Sequence, residues 1–125
     1  MAKILVVEDE ELILKALEFR LKKEGHQIVL ERNGKEASDM IRQNAFDLII
    51  MDMMLPFIGG IDLIKEIRQS ELHSHTPILL IAAPGLDGML MKVFELNVTD
   101  FIIKPFNLNE LVLRVKKIMD FAVSV

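Results

Sequence analysis

Five short apolar runs, each set off from the next by a segment of helical length, constrain this 125-residue chain more than any other feature. They are ILVV (4–7), IVL (28–30), LIIM (48–51), ILLIAA (78–83) and FII (101–103). Short runs that are continuous rather than alternating read as strands buried on both faces, the pattern of a parallel sheet covered by helices. The segments between them carry apolar residues at helical spacing. Residues 11–24 put Leu14, Leu17 and Leu21 on one face, 34–44 offer Ala37, Met40 and Ile41, and 61–70 offer Leu63, Ile64 and Ile67. Residues 107–121 open on Asn107-Leu-Asn-Glu110, the spacing of a capping box with Asn as the cap. The apolar face of that segment is Leu108, Leu111, Val115 and Ile118. A segment at about 87–96 is the least regular, because Gly88 weakens it and Met89, Leu90 and Met91 follow one another without a stripe. Right-handed crossovers between parallel strands then predict a doubly wound α/β fold.

No repeat, low-complexity tract or linker interrupts the pattern, so one domain over 1–125 with a core of 3–121 is expected. Composition narrows the chemistry. Without cysteine there is no disulfide, thiolate nucleophile or Cys-ligated metal. A net charge of −4, with Lys116-Lys117 as the longest basic run, does not favour nucleic acid. No apolar stretch reaches the roughly 18 residues a membrane span needs. The start, MAKILVVEDE, turns acidic too early for a signal peptide, which leaves the cytoplasm as the expected compartment.

In doubly wound folds ligands sit beyond the carboxyl ends of the strands. Glu8, Asp9 and Glu10 follow the first strand, Asp52 the third, Ala82 and Ala83 end the fourth, and Lys104-Pro105 follows the fifth. Asp52 is the odd one, a carboxylate inside FDLIIMDMMLP, where leaving water is costly. If strands one and three are neighbours, Glu8, Asp9 and Asp52 converge. Crowded carboxylates raise one another's pKa unless a cation intervenes, and hard oxygen ligands suit Mg²⁺. The plainer readings make Asp52 a turn residue, Glu8 to Glu11 helix N-terminal acids, and Lys104 a solvated side chain. His73-Ser-His75 reads as surface polar sequence, and the eight methionines as core filler.

ILVVEDE, MDMMLP with Gly60 eight residues past the aspartate, and DFIIKPF, in that order, resemble the response-regulator receiver domains of the CheY-like family over residues 3–121. The resemblance implies strand order 2-1-3-4-5. It implies that Asp52 is the phosphoacceptor for a histidine kinase or histidine phosphotransfer protein. Glu8, Asp9, Asp52 and the backbone carbonyl of Met54 would hold Mg²⁺, and Lys104 would contact the phosphoryl group. Lys104–Pro105 would be a cis peptide, and Ala82 and Phe101 would occupy the switch positions. An effector or dimer partner would use the fourth helix, fifth strand and fifth helix, with no direct nucleic acid or membrane contact.

The chain departs from the family at Ala82, where Thr or Ser is usual, and Pro84-Gly85 reads as a type II turn in the loop that follows. Phe101 lacks a tyrosine hydroxyl, while Phe57, Gly59 and Asn97-Val98 replace other common residues. Met54 and Pro84 occupy the positions whose side chains help place the hydrolytic water in the family, and neither is a useful hydrogen-bond donor, which implies a comparatively long-lived acyl phosphate. A phosphorylation-independent interaction module is therefore the rival reading. An FMN or nucleotide binder would need a Gly/Ser/Thr-rich loop after strand one, where this chain has acids. The sequence leaves open whether it is a stand-alone regulator or part of a longer protein.

Overall fold

The computed structural model describes residues 1–85 and 87–124. The apolar runs form one parallel sheet: β1 (Lys3–Val7), β2 (Gln27–Glu31), β3 (Leu48–Asp52), β4 (Ile78–Ala82) and β5 (Asp100–Ile103). Between and after them run α1 (Glu11–Lys23), α2 (Gly34–Gln43), α3 (Gly60–Gln69), α4 (Asp87–Glu95) and α5 (Leu108–Ser124). The strand order is β2-β1-β3-β4-β5, the doubly wound arrangement expected. Ala83 lies outside β4, which ends at Ala82. Val7 is level with Met51, and Asp52 with Ile81, so β1, β3 and β4 finish together at one rim.

Alternation along each strand sorts the core into two layers. Leu5, Val7, Ile49, Met51, Ile78 and Leu80 face α2, α3 and α4, meeting Ala37, Ile41, Leu63, Ile64, Ile67 and Val93. Ile4, Val6, Leu48, Ile50, Leu79 and Ile81 face α1 and α5, meeting Leu14, Leu17, Leu21, Leu111, Val115 and Ile118. Every residue of β3 and β4 is buried, which is why those runs show no polar alternation, whereas edge strand β2 is only partly covered. Among the described residues no helix is long and apolar enough to cross a membrane.

Local chemistry sets the helix starts. Asn33 caps α2 by accepting from the Glu36 N–H at 2.9 Å. Asn107 accepts from the N–H groups of Asn109 and Glu110 at 2.8 and 3.3 Å. The reciprocal arm of the expected capping box is replaced, because Glu110 accepts from Arg114 at 2.9 Å instead.

Two expectations need correction. His73 is not surface polar sequence: it is fully buried, stacked on Phe46 at 5.9 Å, and its Nε2 accepts from the Phe46 N–H at 3.2 Å. Nor are the methionines all filler. Met51 and Met53 are buried, but Met54, Met89 and Met91 are exposed. Among the described side chains of α4 only Val93 is fully buried, and Met89, Met91 and Phe94 are exposed, as is Ile103 of β5.

Burial, then the positive charge of Arg68, push the His73 pKa down. As pH falls below the usual value of about 6.5, the unfolded chain therefore takes up a proton that the folded chain refuses. Stability contributed by His73 is lost as pH drops through that window. His73→Gln, which keeps an acceptor, should flatten the acid side of the stability curve. The comparison belongs on a Glu8→Gln background, since Glu8 has the opposite sign there. Parallel curves for the two proteins between pH 7 and 5 would overturn the assignment.

Candidate functional site

At the rim where β1, β3 and β4 end, the chain gathers three carboxylates and one ammonium. Asp52 is the last residue of β3 and only 2 % exposed. Its Oδ1 accepts from the Met54 N–H at 2.8 Å and its Oδ2 accepts from Lys104 Nζ at 2.6 Å. Lys104 comes from just beyond β5, where its N–H donates to the Ala82 carbonyl at 2.8 Å and its peptide bond to Pro105 is cis. Glu8 follows β1, with its backbone N–H donating to Glu31 at 3.1 Å. The Glu8 side chain is fully buried and accepts from the Glu10 N–H at 3.1 Å through Oε2. Asp9 is exposed at the mouth. One oxygen each from Glu8, Asp9 and Asp52 lie within 4.8 Å of one another.

The electrostatics are unbalanced. Burial, together with the hydrogen bond and charge of Asp52, pushes Glu8 up to about 7 against the pull of the Glu10 N–H and Lys104. Burial alone would lower Lys104; the hydrogen bond and charge of Asp52, then Glu8, outweigh it and raise its pKa, so it stays an ammonium. Glu8 Oε1 lies in ion-pair range of Lys104 Nζ at 3.2 Å but is buried and accepts no hydrogen bond. Such an atom is costly unless another cation meets it. Carboxylate oxygens at this spacing fit a hard divalent ion such as Mg²⁺, with the Met54 carbonyl nearby in sequence as a neutral donor.

The loop after Asp52 is held by two glycines. The Gly60 N–H donates to the Met53 carbonyl at 3.1 Å, and the Gly34 N–H of α2 donates to Pro56 at 3.1 Å. A Cβ on Gly60 would stand 2.5 Å from the Met53 carbonyl oxygen; one on Gly34 would stand 2.4 Å from that of Ile58. Gly60 belongs to the quoted motif, whereas Gly34 gave no signal beyond opening a helix. In the same loop Phe57 is left-handed, with φ 71°, and its side chain is exposed. Pro84-Gly85 turns as expected, Gly85 having φ 88°. At the expected switch positions, Ala82 is 2 % exposed and Phe101 is half-buried, edge-on to Phe94 of α4 at 5.6 Å.

Sequence reasoning missed Arg68 on α3. Its guanidinium donates to the carbonyls of His73, Thr76, Leu96 and Asn97 at 3.0, 2.8, 3.2 and 2.8 Å. It ties the end of α3 to the turn after α4, where Asn97 has φ 61°. A lone arginine between Ile67 and Gln69 carries no mark of this role.

Residues 4–116 match the family model of the response regulator receiver domain. The chain is 34% identical over 119 residues to the response regulator ArlR of Staphylococcus saprophyticus, covering 95% of this chain and 53% of that protein. The chain spans about half the length of the curated relatives it matches. Among solved structures, the receiver domain of the Francisella response regulator 1452 superposes with TM-score 0.88 at 27% identity, covering 98% of this chain and 99% of the other. The receiver domain of the Pseudomonas aeruginosa sensor histidine kinase PA1611, solved with a magnesium ion in its active site cleft, gives TM-score 0.83 at 28% identity and covers 93% and 95%.

Proposed function

Because this chain belongs to the response regulator receiver domain family of two-component signalling, we propose that it is a working phosphoacceptor and that Asp52 receives the phosphoryl group. The observation that carries this reading is the buried Asp52 carboxylate, held between Lys104 and the Met54 N–H beside a buried Glu8 oxygen that accepts no hydrogen bond. A spent site has no physical need for that crowding. Asp52 attacks the phosphorus of phosphohistidine on a partner kinase or phosphotransfer protein. The new bond is an acyl phosphate, and the P–N bond breaks with its electron pair staying on the imidazole. Lys104 holds Asp52 in place and carries positive charge to the incoming phosphoryl oxygens. Glu8, Asp9, Asp52 and the Met54 carbonyl would hold Mg²⁺, which when bound neutralises charge on the transferring group.

Incubation with acetyl phosphate and Mg²⁺ should add the mass of one phosphoryl group, stable to acid and labile to alkali. Asp52→Asn should abolish it. An unmodified wild type, or an adduct that persists in Asp52→Asn, would overturn the reading.

A protein donor must also reach Asp52. Beside Lys104 an apolar groove of about 520 Å³ runs between α1 and the β5–α5 connection, lined by Leu12, Ile13, Ala16, Pro105, Phe106 and Leu108. Leu12 is 88% exposed at its edge. This groove is the surface we assign to the phosphodonor, and a cytoplasmic location follows from a kinase partner of this kind.

Ala82 supports a second, narrower claim. A hydrogen bond to a charged group contributes about 1.5–3 kcal/mol, a roughly 10- to 150-fold bias on a two-state equilibrium that Ala82 cannot supply. Phosphorylation then proceeds with weak or rerouted coupling to Phe101 and α4. The exposed Met89, Met91, Phe94 and Ile103 form the effector or dimer surface on the α4–β5 side. Backbone amide shifts should change near Asp52 on adding beryllofluoride with Mg²⁺, and little across 84–105. A full response across 84–105 would refute this. If no response appears anywhere, the phosphorylation-independent interaction module is the better account.

A further inference from the structure

Lys104 is shared by one carboxylate more than the acceptor site requires. Its Nζ lies 2.6 Å from Asp52 Oδ2 and 3.2 Å from Glu8 Oε1, and also 3.3 Å from Glu10 Oε1. The ammonium is thus drawn toward three acids before any phosphoryl oxygen arrives, hydrogen-bonded to Asp52 and within ion-pair range of Glu8 and Glu10. Glu10 has no other visible duty. It stands at the N-cap position of α1, yet its side chain makes no capping bond. Its backbone N–H is already taken by Glu8. Of the three carboxyl side chains, those of Glu8 and Asp52 are 0% and 3% exposed and fixed in place, whereas that of Glu10 is 58% exposed. The contact that yields first is therefore the one to Glu10. Glu10 also lines the apolar groove together with Lys104, so anything seated there meets this contact directly.

We propose that Glu10 is a positioning residue that tethers the Lys104 ammonium in the resting site, so that phosphoryl entry has to break a carboxylate–ammonium contact at the mouth. The inference rests on the reading of Asp52 as phosphoacceptor. In the resting state the tether slows small anionic phosphodonors, which arrive with nothing to displace Glu10. A protein donor docked in the groove displaces it as it binds. Exposed ion pairs of this kind are weak, so releasing the tether is expected to speed the reaction about twofold to fivefold.

Two variants test it. Glu10→Gln removes the charge, while Glu10→Asp keeps the charge at the mouth but is one methylene too short to hold Lys104. In the step measured, an Asp52 oxygen attacks the phosphorus of acetyl phosphate and acetate leaves with the electron pair of the broken P–O bond. Both variants should show a second-order rate constant for labelling by acetyl phosphate about twofold to fivefold above wild type. Acceleration in Glu10→Gln alone would mean simple repulsion of the anionic donor and would overturn the tether, as would no acceleration in either. A second readout does not depend on phosphorylation. In the unphosphorylated protein, both variants should shift the Lys104 Cε–Hε NMR signals while signals of Lys116 and Lys117 stay in place. Unmoved Lys104 signals would overturn the proposal. If wild type takes no phosphoryl group at all, the phosphoacceptor reading fails, and these NMR signals still decide whether Glu10 holds Lys104.

Discussion

Glu8→Gln should stabilise the metal-free protein at pH 8, although it removes a residue from the heart of the site. A buried acid whose pKa rises from 4.5 to about 7 opposes folding once the solution is basic enough to ionise it. Between those values the folded chain holds a proton that the unfolded chain has released, so stability falls as pH rises through the window. The shift corresponds to roughly 3 kcal/mol, and a neutral amide that still accepts from the Glu10 N–H recovers about 2–3 kcal/mol of it at pH 8. Near pH 4 the gain should vanish, because the acid is then protonated in both states. Urea denaturation followed by far-ultraviolet circular dichroism suits a chain without tryptophan or tyrosine. Saturating Mg²⁺ should raise the wild-type midpoint and do so less in Glu8→Gln. A midpoint that drops at pH 8 on substitution would show that Glu8 stabilises the fold as an anion.

The second large effect is steric. Gly60→Ala places a methyl 2.5 Å from the Met53 carbonyl oxygen and 2.9 Å from the Met53 Cα, both backbone atoms that cannot swing aside. Alanine improves helix propensity by at most about 1 kcal/mol, less at a first turn, whereas overpacking costs about 1–3 kcal/mol. The clash wins. Its relief has to come from the loop after Asp52, so the rate of acetyl phosphate labelling should fall together with stability. Gly34→Ala pushes the same loop from the other end, against Ile58. Gly59→Ala is the control, since a Cβ there meets nothing within 4 Å. Equal melting temperatures for Gly59→Ala and Gly60→Ala would remove the close-approach argument.

The legible parts of this protein are those with a period or a fixed neighbour. Buried strands announced themselves as unbroken apolar runs, and α1, α2, α3 and α5 as stripes, because one face of each must leave water. Glu8, Asp52 and Lys104 could be picked out because each directly follows such a run, and strand ends meet at one rim in a parallel sheet. His73 could not. A polar residue in a loop has no period, and its burial depends on Phe46, which lies 27 positions earlier. Arg68 reads like any solvent-facing helix residue until five carbonyls from two loops close around it. On α4 the sequence showed more apolar side chains than one face can hold, and the structure shows which ones stay outside. The left-handed backbone at Phe57 was invisible for a different reason: nothing in a phenylalanine favours it, so only the closed loop reveals it.

The guanidinium of Arg68 also limits how a signal can travel. By gripping the carbonyls of Leu96 and Asn97, it pins the trailing end of α4 to the neighbouring α3. The leading end of α4 lies just past the turn at Pro84-Gly85, on the side of Asp52. A rod fastened at one end swings rather than slides. Any push that begins at the acyl phosphate would therefore be largest near Met89 and Met91 and die away toward Asn97, so a partner reading the state of this domain gains most by gripping the swinging tip.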